Sequence, residues 1–252
     1  MKKNIIIANW KMNLTVKESL KLAEEILSGS ASRSSGETEV VLCPGFESLH
    51  YLKDSLKDKI GLGAQDCFWE DAGAYTGEVS PKVLKELGCA YVIIGHSERR
   101  KHLGETDEQV NRKVYAALRN DLIPIICVGE TFEERQRGEK DFVIMRQVAK
   151  ALAGIKLLSA DRLIIAYEPV WVIGSGQAVS PDEAEHASRV IKQVLLDNLG
   201  AAPAEQTRII YGGSVNPENV GGFLNEQTID GILVGGASLK AEIFAELIKK
   251  FN

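Results

Sequence analysis

A repeat of pattern, rather than of letters, most narrows what this chain can fold into. Short apolar, β-rich runs recur along it, each followed by polar turn residues and then by a segment with helical spacing. The runs are 5–8, 40–43, 60–64, 91–94, 123–128, 163–167, 208–211 and 231–234, eight in a chain of 252 residues. Most are continuously apolar rather than alternating, as parallel strands covered on both faces are. In the segment 16–27, Val16, Leu20, Ala23 and Leu27 share one helical stripe. Ser80-Pro81 and Asn216-Pro217 each put a capping residue before proline at a first helical position. Ser180 with Glu183, Thr106 with Gln109 and Thr131 with Glu134 have capping-box spacing. No Gly/Ser linker divides the chain, and the soft stretch 28–36 is short enough for a surface loop. Eight βα units in about 250 residues predict an α/β fold, a single (β/α)8 barrel domain spanning 1–252. The competing open, doubly wound sheet often carries GxGxxG after its first strand. Here Asn9-Trp10-Lys11-Met12-Asn13 stands in that place, without a glycine.

Composition excludes several function classes. Thirty basic against thirty-five acidic side chains give a net charge of −5. That balance argues against a nucleic-acid partner held by bulk charge, and leaves small anions open because they are bound locally. No apolar run approaches the ~18–20 residues of a membrane span. The basic start Met1-Lys2-Lys3 is followed by an apolar run too short for a signal peptide, so a cytoplasmic location is expected. Cys43, Cys67, Cys89 and Cys127 lie far apart with no CxxC, which reads as buried free thiols in a reducing compartment. His50, His96, His102 and His186 show no i, i+4 pairing, so no metal is expected.

In a (β/α)8 barrel, chemistry gathers where strands run into their following loops. The first run leads into Asn9-Trp10-Lys11, which aims an ammonium at the mouth. The fourth leads into Gly95-His96, with Ser97-Glu98-Arg99-Arg100 as a helix start whose dipole disfavours a charged imidazolium. The sixth leads into Tyr167-Glu168-Pro169-Val170-Trp171. Pro169 keeps Glu168 out of helical backbone space, and apolar neighbours strip the carboxylate of solvent. Val172-Ile173-Gly174-Ser175-Gly176-Gln177-Ala178 follows, an apolar tip with two glycines that suits a lid. The seventh and eighth runs end in Gly212-Gly213-Ser214 and Gly235-Gly236, where backbone N–H groups can approach an anion. One cation, one neutral imidazole, one desolvated carboxylate, a lid and a phosphate cradle suit proton abstraction beside a carbonyl on a small phosphorylated substrate. Two other readings stay open. A Schiff-base aldolase would use Lys11 as nucleophile and be revealed by borohydride trapping. A non-catalytic barrel would bind sugar phosphates or act as a surface adhesin.

Six segments in order resemble the triosephosphate isomerase family: Asn9-Trp10-Lys11, Ile94-Gly95-His96-Ser97-Glu98-Arg99-Arg100, Gly104-Glu105-Thr106-Asp107-Glu108, Tyr167-Glu168-Pro169-Val170-Trp171, Tyr211-Gly212-Gly213-Ser214-Val215 and Gly235-Gly236-Ala237-Ser238-Leu239. A glutamate base beside a neutral histidine is a known property of that family, so those two roles come with the resemblance. It implies interconversion of dihydroxyacetone phosphate and D-glyceraldehyde 3-phosphate through a cis-enediol(ate), without cofactor or metal. It implies Glu168 as base, His96 as electrophile, and Lys11 with Asn9 at the oxyanion. Gly174, Ser214, Gly235 and Gly236 would contact the phosphate, and Ile173 and Leu233 would clamp Glu168. It also implies a homodimer in which the loop from Cys67 to Ser80 reaches into the partner, Thr76 meeting the region of Lys11. The chain departs from the family's commoner residues at Val172, Ser175 and Gln177 in the lid and at Leu103 near the dimer contacts.

Overall fold

The computed structural model describes residues 4–30, 38–56, 59–156 and 162–251. Strands β1 (Asn4–Asn9), β2 (Thr38–Cys43), β3 (Gly61–Ala64), β4 (Tyr91–Ile94), β5 (Ile123–Val128), β6 (Ile164–Tyr167), β7 (Arg208–Tyr211) and β8 (Gly231–Val234) pair in parallel and in chain order. β8 pairs back on β1, with Ile5 opposite Gly231, and closes the barrel. All eight expected runs are strands, with ends displaced by at most two residues.

Each strand but β3, whose barrel-facing positions are Gly61 and Gly63, serves two cores, which explains the continuous apolar runs. Ile5, Ile7, Val41, Cys43, Ile93, Ile125, Cys127, Ile164, Ala166, Ile210 and Leu233 fill the barrel. The alternate residues, such as Ile6, Ala8, Val92, Ile94 and Ile165, pack beneath the helices. All four cysteines are buried free thiols. At the N-terminal end of the barrel, the Glu39 carboxylate accepts from the Tyr91 hydroxyl and, at 2.5 Å, from Arg208. This trio from β2, β4 and β7 closes the floor, and burial holds the Tyr91 phenol well above its ordinary pKa.

The helix Val16–Ser30 runs three residues past the predicted end, and 31–36 of the expected loop lie outside the described residues, as do 1–3. Thr106/Gln109 and Thr131/Glu134 are complete capping boxes, and Ser80 caps the helix Pro81–Glu86. Two expectations need correction. Ser180 caps the helix Pro181–Leu199, but the Glu183 carboxylate does not return to the cap because Arg135 captures it. Asn216 accepts from the N–H groups of Glu218 and Asn219, yet this closes a turn, and the regular helix starts only at Val220.

Candidate active site

The mouth of the barrel is built from strand ends. Beyond β1, Lys11 adopts a left-handed backbone, φ 52°, unusual for a residue with a side chain. Its N–H donates to Asn9 Oδ1 at 3.0 Å, and its carbonyl accepts from Gln65 Nε2 at 2.8 Å. The same Gln65 amide donates to Cys43 O at 3.0 Å, tying β1 and β2 together beneath the site. The Lys11 ammonium lies 2.5 Å from Glu98 Oε1.

Beyond β4, His96 is itself the N-cap of the helix Ser97–Leu103, its Nδ1 accepting from the Glu98 N–H at 3.2 Å. An acceptor nitrogen carries a lone pair. With Nδ1 accepting, the proton of a neutral ring falls on Nε2. Nε2 lies 3.3 Å from Glu168 Oε1. Arg100 braces this turn, donating to Gly95 O at 2.8 Å while paired with Asp107 at 2.6 Å.

Beyond β6, Glu168 is 1% exposed, and its N–H continues the barrel ladder to Val128 O at 2.7 Å. One oxygen, Oε2, accepts from the Ser97 N–H at 3.1 Å. The other, Oε1, is buried without a well-aligned donor. Cys127 lies nearby, and burial, with the Glu168 charge adding to it, pushes its thiol far above the ordinary range.

These groups line one cavity of about 190 Å³. Asn9, Lys11, His96, Glu168, Gly174, Ser214, Gly235 and Gly236 all border it, as do Ile173 and Leu233. The tip of the 172–178 segment is internally bonded: Ser175 Oγ donates to Val172 O at 2.8 Å and accepts from the Gln177 N–H at 3.1 Å. Gly174 and Gly176 take φ of 73° and 76°, which favours glycine there.

The glycine pair after β7 lines the cavity and is also packed tightly against neighbouring side chains. The Gly212 N–H is spent on Tyr167 O at 2.8 Å. A Cβ on Gly212 would sit 2.9 Å from Glu168 Cγ, and one on Gly213 would sit 2.1 Å from the Tyr211 hydroxyl. Both are glycine because side chains crowd them.

Sequence reasoning missed four supporting groups. Glu98 holds Lys11, and Gln65 holds its carbonyl. Glu130, fully buried after β5, accepts from Trp171 Nε1 at 3.0 Å and the Tyr167 hydroxyl at 3.2 Å. Asp66, after β3, joins a buried network with Lys113, Glu105 and Arg99. Glu130 and Asp66 carried the same signal as Glu168, a carboxylate just beyond a buried strand.

Compared with known proteins, residues 4–251 match the family model described as Triosephosphate isomerase. The chain belongs to the triosephosphate isomerase family. Relatives named triosephosphate isomerase include one from Dictyoglomus thermophilum, 46% identical over 99% of this chain and 100% of its own length. One from Caldanaerobacter subterraneus subsp. tengcongensis is 47% identical over 98% of this chain and 99% of its own. One from Alkaliphilus metalliredigens is 48% identical over 98% and 99%. The structure places the four residues read from the sequence as departures from the family's commoner ones. Val172 is buried at the lid base, Ser175 bonds within the tip, and Gln177 faces solvent. Leu103 is 66% exposed.

Proposed function

We propose that the chain interconverts dihydroxyacetone phosphate and D-glyceraldehyde 3-phosphate by proton transfer through a cis-enediol(ate), a step of glycolysis and gluconeogenesis. One observation carries the reading: a buried carboxylate oxygen of Glu168 without a well-aligned donor lies 3.3 Å from Nε2 of His96, on the wall of the mouth cavity. Glu168 takes the carbon-bound proton. His96 donates from Nε2 to the oxygen on which charge develops, and moves a proton between the two substrate oxygens. Lys11, with Asn9 beside it, stabilises that oxygen and draws in the dianionic substrate. The backbone N–H groups of Gly174, Ser214, Gly235 and Gly236 receive the phosphate, and Ile173 and Leu233 clamp Glu168 when the lid shuts. The salt bridge from Lys11 to Glu98 supports Lys11 as a fixed cation rather than a free amine nucleophile.

The single domain 1–252 works as a homodimer in the cytoplasm. The loop 67–80 is stiffened from within its own chain: Arg119 pairs with Asp71 at 2.9 Å, Arg112 covers the Trp69 ring at 4.2 Å, and Phe68 lies 4.6 Å from Tyr75. Its tip, with Thr76, is exposed. Met12, beside Lys11, is 98% exposed, and a partner's loop would cover it. Among the described residues no helix is long and apolar enough to cross a membrane. A coupled isomerase assay on the wild type and Glu168→Gln tests the reading. The wild type should turn over both trioses, and the variant should lose about 10²–10⁴-fold in kcat, the usual worth of a general base. A variant with most of its kcat would remove Glu168 from the mechanism.

A further inference from the structure

Arg135 stands outside the cavity but bridges the start of the segment that borders it to the helix that follows that segment. Its short helix, Phe132–Gln136, is fixed by the Thr131/Glu134 capping box. The guanidinium face lies over the Trp171 ring at 4.4 Å. Trp171 is in the 3-10 turn Val170–Val172, directly before the tip. The guanidinium edge forms a two-pronged pair with Glu183, one contact at 3.1 Å and a second, shorter one through Nη1. Glu183 is in the first turn of the helix Pro181–Leu199, with Val179 and Ser180 between that helix and the 172–178 segment. Glu130, 3.9 Å from Arg135, takes the Trp171 indole N–H, and Lys140 lies 3.6 Å from Glu183.

We infer that Arg135 is a positioning residue that ties the two ends of the lid together, so that the internally bonded tip moves as one piece. A planar cation can stack through its face and pair through its edge at the same time, which neither lysine nor an apolar side chain can do. With the ends tied, a phosphate pulling on the Gly174 N–H moves the whole tip. With them untied, part of that binding energy is lost in spreading the ends. This rests on the isomerase reading. In that reading an incompletely shut lid lets the enediolate expel its phosphate: the C–O bond breaks, its electron pair leaves with inorganic phosphate, and the remaining enol tautomerises to methylglyoxal.

Arg135→Met, Glu183→Gln and the double variant test this in two ways. The first readout needs no activity. With 5-fluorotryptophan incorporated and the Trp171 signal assigned by Trp171→Phe, Glu183→Gln should displace the Trp171 fluorine resonance as Arg135→Met does, because the Glu183 carboxylate is held by Arg135 and Lys140 and acts on Trp171 through Arg135. An unmoved resonance in Glu183→Gln overturns the tie, whatever the enzyme does. The second is product partitioning by NMR. Each single variant should raise the methylglyoxal share about two- to thirtyfold, the factor one cation–π contact corresponds to, with KM changed less than kcat. The double variant should be no worse than Arg135→Met alone. Additive effects, or clean isomerisation by both single variants beside an active wild type, overturn the tie. An inactive wild type overturns the isomerase reading instead, and leaves the fluorine result to decide the tie. If Arg135→Met does not fold, Arg135→Lys replaces it: the charge on Glu183 is kept, the stack is lost, and the same rise in methylglyoxal is expected.

Discussion

Gly212→Ala tests how finely Glu168 is placed. Gly212 carries no catalytic group, and its backbone is compatible with alanine, since it is absent from the left-handed positions. The added Cβ would lie 2.9 Å from Glu168 Cγ, 3.3 Å from Tyr167 O and 3.6 Å from Glu168 Oε1. Ordinary contact begins near 3.4 Å, so Cγ must retreat by about 0.5 Å. Tyr167 O, fixed in the ladder, blocks relief on the other side. The retreat starts near the root of the side chain, so the carboxylate swings through more, about 1 Å. A misplacement of that size costs on the order of 10²-fold, about 2.7 kcal/mol in the barrier. Steady-state kinetics should show kcat down about a hundredfold with KM changed little, because Lys11 and the proposed phosphate-binding residues are untouched. Thermal unfolding should stay within a few degrees of the wild type. If kcat stays within threefold, then either Glu168 tolerates displacement or it is not the base, and the argument from position fails.

Three further outcomes are expected. Nitrogen NMR of the labelled imidazole should show His96 neutral at pH 7 with the proton on Nε2, and a proton on Nδ1 would contradict the cap hydrogen bond. Thr76→Arg should weaken dimerisation and activity together in sedimentation and assay on one sample, whereas a fully active dimer would make the loop tip a surface feature only. Burial pushes Asp66 up to about 6, with Glu105 adding and Lys113 and Arg99 opposing. A folded-state value above the unfolded one, near 3.9, gives stability that is full below pH ~4 and lost as pH rises through about 6. Asp66→Asn should therefore gain on the wild type in urea unfolding between pH 4.5 and 7.5, by on the order of 2 kcal/mol. Parallel pH curves would refute it.

The strands are legible because each but β3 faces two cores, so burial writes continuous apolar runs that need no partner to interpret. Lys11, His96 and Glu168 are legible for a related reason: each is the first chemically active residue beyond such a run. Their supports are not. Glu98 meets Lys11 across 87 residues, and Trp171 meets Glu130 across 41. No local pattern encodes which distant charge a loop will face. The crowding of Gly212 and Gly213 by Glu168 and Tyr211 is hidden for the same reason. At Asn216-Pro217 the local capping signal is real, but it is used for a turn before the helix begins.

The floor made by Glu39, Tyr91 and Arg208 has a bearing on traffic. With one end stoppered by a hydrogen-bonded trio and the bore filled with side chains, most of them isoleucine, valine and leucine, the mouth is the door among the described residues. Reactant and product are isomers that must use it in turn, and no product can be pushed out at the back by the next arrival. In the proposed reading each turnover then needs its own opening and closing of the 171–178 segment, and the frequency of that motion sets a ceiling on throughput however fast the protons move.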